Sequence, residues 1–454
     1  MTPKSPGTVH RELLQEAENL IRELLEWQQA HPASDFAGME AFVLQLRRRF
    51  GHRVLEALLE IQEQRVPVAE PACPGCGNKG EYKDTQPLTF ESLLGPLTVE
   101  RGYYYCPSCR EGHYPLDAQL HLPGKHWSAG VAREITWLNG HTETYAETAD
   151  ILSRLTDASI SKSSAWRLVQ TWGGKIGDEI AAEEATLKAQ AREWSTPGGT
   201  TARGPRMGVA TDGGYMYILG EGWKEFKAGC VFEVTLAERE MPRTGDVEAC
   251  GHAVNLSYTV HLGNCEPVGW QLWTEAHRRD WQTARDGIVI GDGAKWIWNL
   301  RDAHFPQTEM LVDWYHATQH LGTVKQQVYP DDTVAASRWY NAQEQALYQG
   351  HANRIAQEIR ALTVRHPELA DDLQREADYF HSNHRRMQYQ RLREDGWPLG
   401  SGMIESGVKR FKARFDAAGM RWSRTGAENL LPVRAAVLSG AVRFDQLWQR
   451  ARAA

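Results

Sequence analysis

Apolar and polar positions along the chain change period several times, and each change marks an element. From Val9 to about Gln62 the spacing is helical: Leu13, Leu14, Leu20, Ile21, Leu24 and Leu25 form a stripe, with Arg11, Glu12, Glu16 and Glu18 off it. His31-Pro32-Ala33-Ser34-Asp35 breaks the pattern and Phe42 to Ile61 resumes it. Residues 1–66 thus read as a helical arm for dimerisation or DNA-end binding, or as a small helical subdomain packed on its neighbour. Residues 67–122 turn to β-formers, with Leu88-Thr89-Phe90, Leu97-Thr98-Val99 and Tyr103-Tyr104-Tyr105 around Gly95-Pro96. That pattern predicts two antiparallel strands. Over residues 123–194 helical spacing returns in Tyr145 to Leu155, in Ser161 to Trp172 and in Ile176 to Ala191. The first two, joined by Thr156-Asp157-Ala158-Ser159, read as a helix-turn-helix or as an ordinary helical hairpin. In the first case Lys162, Ser163, Ser164 and Arg167 face a major groove. Ser195-Thr196-Pro197-Gly198-Gly199-Thr200-Thr201 reads as a linker and domain boundary.

Strands dominate the next part, residues 202–314. Met207 to Thr211 leads through Asp212-Gly213-Gly214 into Tyr215 to Leu219, which reads as a hairpin with an aspartate ending its first strand. Cys230 to Leu236, Tyr258 to His261 and Val268 to Trp273 read as further strands, and Asp280 to Asp286 as helix. The apolar run Ile288-Val289-Ile290 then stops at Gly291-Asp292-Gly293, and Met310-Leu311-Val312 stops at Asp313. A strand-end aspartate either caps the following helix or faces a ligand beyond the sheet. Antiparallel strands followed by a helix and a strand ending in Asp are the layout of a ribonuclease-H-like core. Residues 315–396 are helical and polar and read as an all-helical insertion that ends at Trp397-Pro398-Leu399-Gly400-Ser401-Gly402. Residues 397–454 return to the core as helices. The predicted class is α+β and multidomain: helical arm, ribbon, helix-turn-helix-like region, then an α/β core with its insertion.

Composition narrows the chemistry. With 41% hydrophobic and 24% charged residues the 454-residue chain is of ordinary globular make-up. A net charge of −7 excludes a uniformly basic coat but not a local basic face. No apolar run approaches the ~18–20 residues that span a bilayer, and Met1 to Arg11 lacks a signal-peptide core. The expected setting is therefore cytoplasmic, where paired cysteines read as metal ligands. Cys73-Pro74-Gly75-Cys76 and Cys106-Pro107-Ser108-Cys109 supply the four thiolates of a structural zinc ribbon. Their spacer exceeds the common 15–20 residues, and His113 is a nearby bystander or substitute.

The helix from Gly402 to Phe415 carries Ile404, Val408, Phe411 and Phe415 on one buried stripe and Glu405, Lys409 and Lys412 on a neighbouring face. Glu405 is then either a solvated partner of Lys409 or a functional carboxylate fixed in a first turn. From His381 to Trp422 the basic residues Arg385, Arg386, Arg391, Arg393, Lys409, Arg410, Lys412, Arg414 and Arg421, with Tyr389, Trp397 and Trp422, suit a phosphate backbone and unpaired bases. Asp212, Asp292 and Glu405 could together hold two hard divalent cations, Mg2+ or Mn2+, and activate a phosphodiester for cleavage. No Ser/His/Asp elbow or Gly-rich phosphate loop competes.

The chain resembles bacterial insertion-sequence transposases of the DDE class, near the Kra-type group and more distantly the Mutator-like elements. The resemblance rests on Thr211-Asp212-Gly213, on Gly291-Asp292-Gly293-Ala294-Lys295-Trp296-Ile297-Trp298, on Asp313-Trp314-Tyr315-His316 and on Gly400-Ser401-Gly402-Met403-Ile404-Glu405-Ser406. Gly419-Met420-Arg421-Trp422 and Gly426-Ala427-Glu428 add to it. It implies a catalytic triad of Asp212, Asp292 and Glu405, and a supporting pair, Asp313 and His316. It implies double-stranded DNA, element ends and target, as the partner, a nucleoid-associated homodimer or larger homo-oligomer, and cleavage followed by strand transfer. A DNA-binding protein with an inert core and a purely hydrolytic nuclease are the alternatives.

Overall fold

A computed structural model describes residues 6–63, 70–122, 126–191, 204–240 and 247–453. The chain forms two compact units, Met1–Val169 and Gln170–Ala454. The sequence-suggested linker at 195–201 lies outside the described residues. Among the described residues no helix is long and apolar enough to cross a membrane.

The first unit begins with two long helices, α1 (Pro6–Ala30) and α2 (Phe36–Glu63), broken where the sequence predicts. Trp27 stacks on Phe42 with ring centroids 4.6 Å apart, and Arg49 and Arg53 reach back to Glu23 and Glu12, so the two helices run antiparallel. The alternating segment forms β1 (Glu81–Ser92) and β2 (Gly95–Cys106), antiparallel, with a short β3 (Glu111–His113) on the edge of β2. Gly95 makes the tight connection at φ +92°. Leu88 and Phe90 of β1 and Leu97 and Val99 of β2 point to one face and join Leu59 of α2 and Leu116 of α3 (Pro115–Gln119) in a core. Helices α4 (Ala129–His141) and α5 (Tyr145–Leu155) are N-capped by Ser128 and Thr144, whose hydroxyls accept from Val131 and Glu147 N–H.

After α5 the chain does not make a short second helix. Helix α6 (Lys162–Ala191) runs 30 residues without interruption. It passes through Gly173 and Gly174 because close packing, not a turn, requires them: a Cβ on Gly173 would lie 2.1 Å from the Asn429 carbonyl oxygen. The division between the two units falls within α6.

The second unit is built on a five-stranded sheet in the order β6-β5-β4-β7-β8. β4 (Arg206–Ile218), β5 (Gly222–Glu240) and β6 (Val247–Leu262) are antiparallel neighbours; β7 (Gly287–Gly291) and β8 (Glu309–Val312) run parallel to β4. Val268 to Trp273, read from the sequence as a strand, lies instead in helix α7 (Cys265–Arg278). Val268, Leu272 and Ala276 are buried there four residues apart, and Leu272 packs where a Cβ on Gly229 of β5 would be. The six-residue window was too short to separate that period from alternation. Of the helix expected over Asp280 to Asp286, only a single 3-10 turn at Trp281–Thr283 forms.

Helix α8 (Lys295–His304) links β7 to β8, and five helices follow: α9 (Trp314–Val328), α10 (Thr333–Tyr348), α11 (Ala352–Leu362), α12 (Ala370–Asn383) and α13 (Tyr389–Glu394). The stretch is helical, as the sequence predicts. The chain returns as α14 (Gly402–Phe415), which packs on β4, then α15 (Arg424–Leu438) and α16 (Ala441–Ala453). The predicted stripe Ile404, Val408, Phe411 and Phe415 is buried. Each such side chain contributes about 1.5–3 kcal/mol, enough to fix the rotation of α14 and hence the direction in which Glu405 points.

Candidate metal and carboxylate sites

The cysteine cluster is made by two copies of one turn. In the first, Cys73 O accepts from Gly77 N–H at 2.9 Å; in the second, Cys106 O accepts from Arg110 N–H at 2.8 Å. Gly77 and Arg110, each directly after the second cysteine, both adopt left-handed backbone, at φ +73° and +62°. The hairpin β1–β2 brings the turns together. Sγ–Sγ distances are 3.4 Å for Cys73 and Cys109, 3.5 Å for Cys76 and Cys106 and 3.7 Å for Cys76 and Cys109. A tetrahedron with metal–sulfur bonds of ~2.3 Å has edges of ~3.8 Å, so these four thiols can hold a zinc ion. The Cys109 N–H pulls the Cys106 thiol down to about 6, while hydrogen bonding to Cys73 pushes Cys109 up to about 12. His113 is not part of the cluster; its ring covers Gly80 and tilts against Tyr104.

In the second unit β4, β7 and β8 run the same way, so their carboxyl ends share one edge. Asp212 lies on β4 just past Ala210, where pairing with β7 stops. The expected turn at Asp212-Gly213-Gly214 does not form: β4 continues, with Asp212 opposite Ala228 and Gly214 opposite Phe226. The glycines serve close packing. A Cβ on Gly213 would meet Glu225 Oε1 at 2.7 Å, and one on Gly214 the Phe226 ring at 2.4 Å. Asp292 follows β7; its Oδ1 accepts from Ala294 N–H at 2.8 Å in the turn before α8, whose first turn has no side-chain cap. Asp212 Oδ1 accepts from Gly213 N–H at 2.6 Å.

Asp313, directly after β8, is the hub. It is fully buried. Oδ1 accepts from the His316 N–H at 2.8 Å and contacts His316 Nδ1 at 3.2 Å, and Oδ2 accepts from Ser401 N–H. The Ser401 hydroxyl in turn donates to Glu405 Oε1 at 2.9 Å. Asp313 thereby ties the start of α9 to the start of α14 and orients Glu405. Asp313, His316 and Glu405 each bring a donor atom within 4.8 Å of the others. Both Asp313 oxygens accept N–H bonds, so it acts as a clamp, and with His316 and Glu405 it also forms a group that could hold a metal ion.

Asp212 and Asp292 lie outside that tight group but act on it electrostatically. Burial raises the Asp212 pKa, and the negative charges of Asp292 and Glu405 raise it further, against the Gly213 hydrogen bond and His316. His316 is raised by its bond to Asp313 and by the charges of Asp313, Asp292 and Glu405. Burial works against ionised Asp313, yet its hydrogen bonds from His316 and Ser401 prevail and hold it below the usual range. Three oxygen-donor carboxylates in this setting are a donor set suited to a hard divalent cation.

Sequence reasoning missed Ser401 and Tyr379. The Tyr379 hydroxyl of α12 donates to the Asp292 carbonyl at 3.0 Å. Its ring stacks on His320 at 3.6 Å, and His320 Nδ1 lies 2.6 Å from Glu376. Gly293, at φ +104°, leaves room for it: a Cβ there would approach the Tyr379 ring to 2.8 Å. The one signal in the sequence was Gly293 itself, which says that something approaches closely but not what.

The expected nucleic-acid face is partly corrected. Lys162 and Arg167 on α6 are exposed, as are Lys409, Arg410, Lys412 and Arg421. Arg414 and Trp422 are not: Arg414 is 2% exposed and lies over the Trp422 ring, whose Nε1 donates to Phe415 O at 3.0 Å. Tyr389 and Trp397 are buried as well. Arg391 is engaged by Glu309 and Asp395, and Arg393 by Glu248. These aromatics fill the core, so base stacking on them is excluded in this arrangement. No protein-family model and no curated protein matches the chain.

Proposed function

We propose that the chain is a DDE-type DNA transposase whose ribonuclease-H-like core uses Asp212, Asp292 and Glu405 to hold Mg2+ or Mn2+. The observation that carries this reading is that Asp292 and Glu405, from distant parts of the chain, both lie near enough to Asp212 for their charges to act on it. The succession of three antiparallel strands, β4 to β6, then a helix, then β7 followed by Asp292 agrees with the layout expected of such a core. The helical insertion before Glu405 and the Asp313–His316 clamp also fit the resemblance. The metal ions would supply charge neutralisation and an activated oxygen for phosphodiester cleavage. The protein's own part is to fix the carboxylates: Asp313 and Ser401 orient Glu405, and Tyr379 braces the Asp292 loop. A structural zinc on Cys73, Cys76, Cys106 and Cys109 completes the assignment, and the exposed Lys409, Arg410, Lys412 and Arg421 are the basic groups assigned to binding element ends.

The test is a cleavage assay on labelled double-stranded element ends with Mg2+ or Mn2+. Asp212→Asn, Asp292→Asn and Glu405→Gln are each expected to abolish cleavage while DNA binding stays near normal. Supplying a pre-cut end should yield joined product; hydrolysis without joining would reduce the reading to a nuclease. Binding without any divalent-dependent cleavage would leave only a DNA-binding protein.

A further inference from the structure

Residues of α6, β6, α7, α15 and α16 enclose a cavity of about 70 Å³. That is several times the ~10–15 Å³ that one water needs. Thr259 Oγ1 of β6 and Gln271 Oε1 and Thr274 Oγ1 of α7 line it, and these three atoms are shut off from solvent and find no hydrogen-bond partner among the described residues. Thr274 as a whole is only 3% exposed. Buried oxygens are seldom left unpaired, so three on one cavity mark a place for hydrogen-bond donors. The charged groups on the wall already have partners. Arg278 Nε donates to Glu275 Oε2 at 2.9 Å, and Arg443 Nη1 donates to Glu183 Oε1 at 2.9 Å. This pairing favours a neutral occupant over an ion. Ile180, Val260, Pro432 and Leu447 give the cavity an apolar side. Buried water needs several polar partners, and that side supplies none.

We infer that the cavity is a binding site for a small neutral polyol, whose hydroxyls donate to Thr259, Gln271 and Thr274 while its carbons lie on the apolar side. Tyr258 carries the effect of binding outward. It lines the cavity too. Its ring packs against Gly407 of α14, where a Cβ would lie 2.4 Å away, and its hydroxyl donates to Met403 O at 3.1 Å. Met403 stands two residues before Glu405 in the first turn of α14. A filled cavity therefore holds Tyr258 and, through it, the start of α14. The site stands without the function proposed above; only its bearing on a metal-holding Glu405 rests on that reading.

The test is saturation-transfer NMR on the full chain, zinc-replete and without DNA, with glycerol at about 10 mM as the probe. The wild type is expected to pass saturation to glycerol. Ala436 lines the cavity, so Ala436→Leu should fill it and abolish the transfer. Thr274→Val keeps the side chain's shape, removes one oxygen and should weaken binding about fivefold. It decides the matter if Ala436→Leu disturbs folding. Glycerol should also slow hydrogen exchange of the Ile404 and Glu405 amides about twofold in the wild type and not in Ala436→Leu. No transfer from the wild type would overturn the inference, the cavity then holding water alone. So would equal transfer from the wild type and both variants, which marks an adventitious contact only. Transfer with unchanged exchange would overturn the link to α14.

Discussion

The cysteine cluster and the carboxylate site are assembled in opposite ways. Each half of the cluster is a five-residue turn, complete in itself, and one hairpin joins the halves. The carboxylate site has no local half: its members leave β4, β7, β8 and α14, and none is organised without the sheet. The cluster gathers thiols that hold each other near tetrahedral distance. The carboxylate site gathers like charges that repel, restrained by N–H and hydroxyl donors. The first is arranged to stabilise a small module, and the second accepts instability to keep charge available.

That contrast can be broken by experiment. The largest effect should follow Asp212→Asn, which removes a carboxylate proposed to hold metal. Losing several kcal/mol of transition-state stabilisation amounts to on the order of 10³-fold in cleavage rate. The same substitution relieves repulsion, so without metal its melting temperature should rise by about 2–4 °C. A fall in both activity and stability would mean that Asp212 is structural. Next comes the cluster. Metal analysis should find one zinc per chain, absent in the double variant Cys73→Ser with Cys106→Ser. Calorimetry should then show the first unit melting early and the second near its wild-type temperature, because a structural zinc contributes mainly to its own module. One shared transition, equally lowered, would contradict the separation.

Smaller effects sharpen the comparison. Tyr379→Phe removes one hydrogen bond to the Asp292 carbonyl, worth about 1 kcal/mol. The Mn2+ midpoint of cleavage should rise about fivefold, with the rate at saturating metal less affected. An unchanged midpoint would leave Tyr379 as packing only. His316→Gln should show a pH signature. The raised pKa of His316 means that its stabilising effect is fully present below the ordinary histidine value of about 6.5 and is lost as pH rises through the folded value. The lowered pKa of Asp313 means that its own contribution is lost only as pH falls through a value under the carboxylate range. The melting-temperature gap between wild type and His316→Gln should therefore be widest near about pH 5 to 6 and shrink toward alkaline pH. A gap independent of pH would show that the imidazole acts there uncharged.

Legibility followed the same division. The turn chemistry of Cys73 to Gly77 and Cys106 to Arg110 is local, so spacing revealed it. The stripe on α14 is also local, as is the glycine-bounded entry that places Glu405 in a first turn, as found. The Asp212 segment misled because Gly-Gly after an aspartate signals a turn. The glycines instead admit Phe226 and Glu225 from the neighbouring strand, a contact between strands that no window of sequence contains. The aromatic and basic residues around Trp422 misled for a related reason. Composition records that Arg414 and Trp422 are near each other, not that the pair is turned inward.

The sequence by itself determined the elements whose causes lie within a few residues: the paired knuckles, the α1–α2 break, the strands ending in Asp292 and Asp313, and the buried stripe of α14. Only the tertiary structure decided that Asp313 clamps Ser401, that Ser401 steers Glu405, that Tyr379 braces Asp292 and that Arg414 is core. The physical reason is range. Backbone preference and hydrophobic period act along the chain, whereas burial and charge act through space, between segments that the sequence leaves far apart.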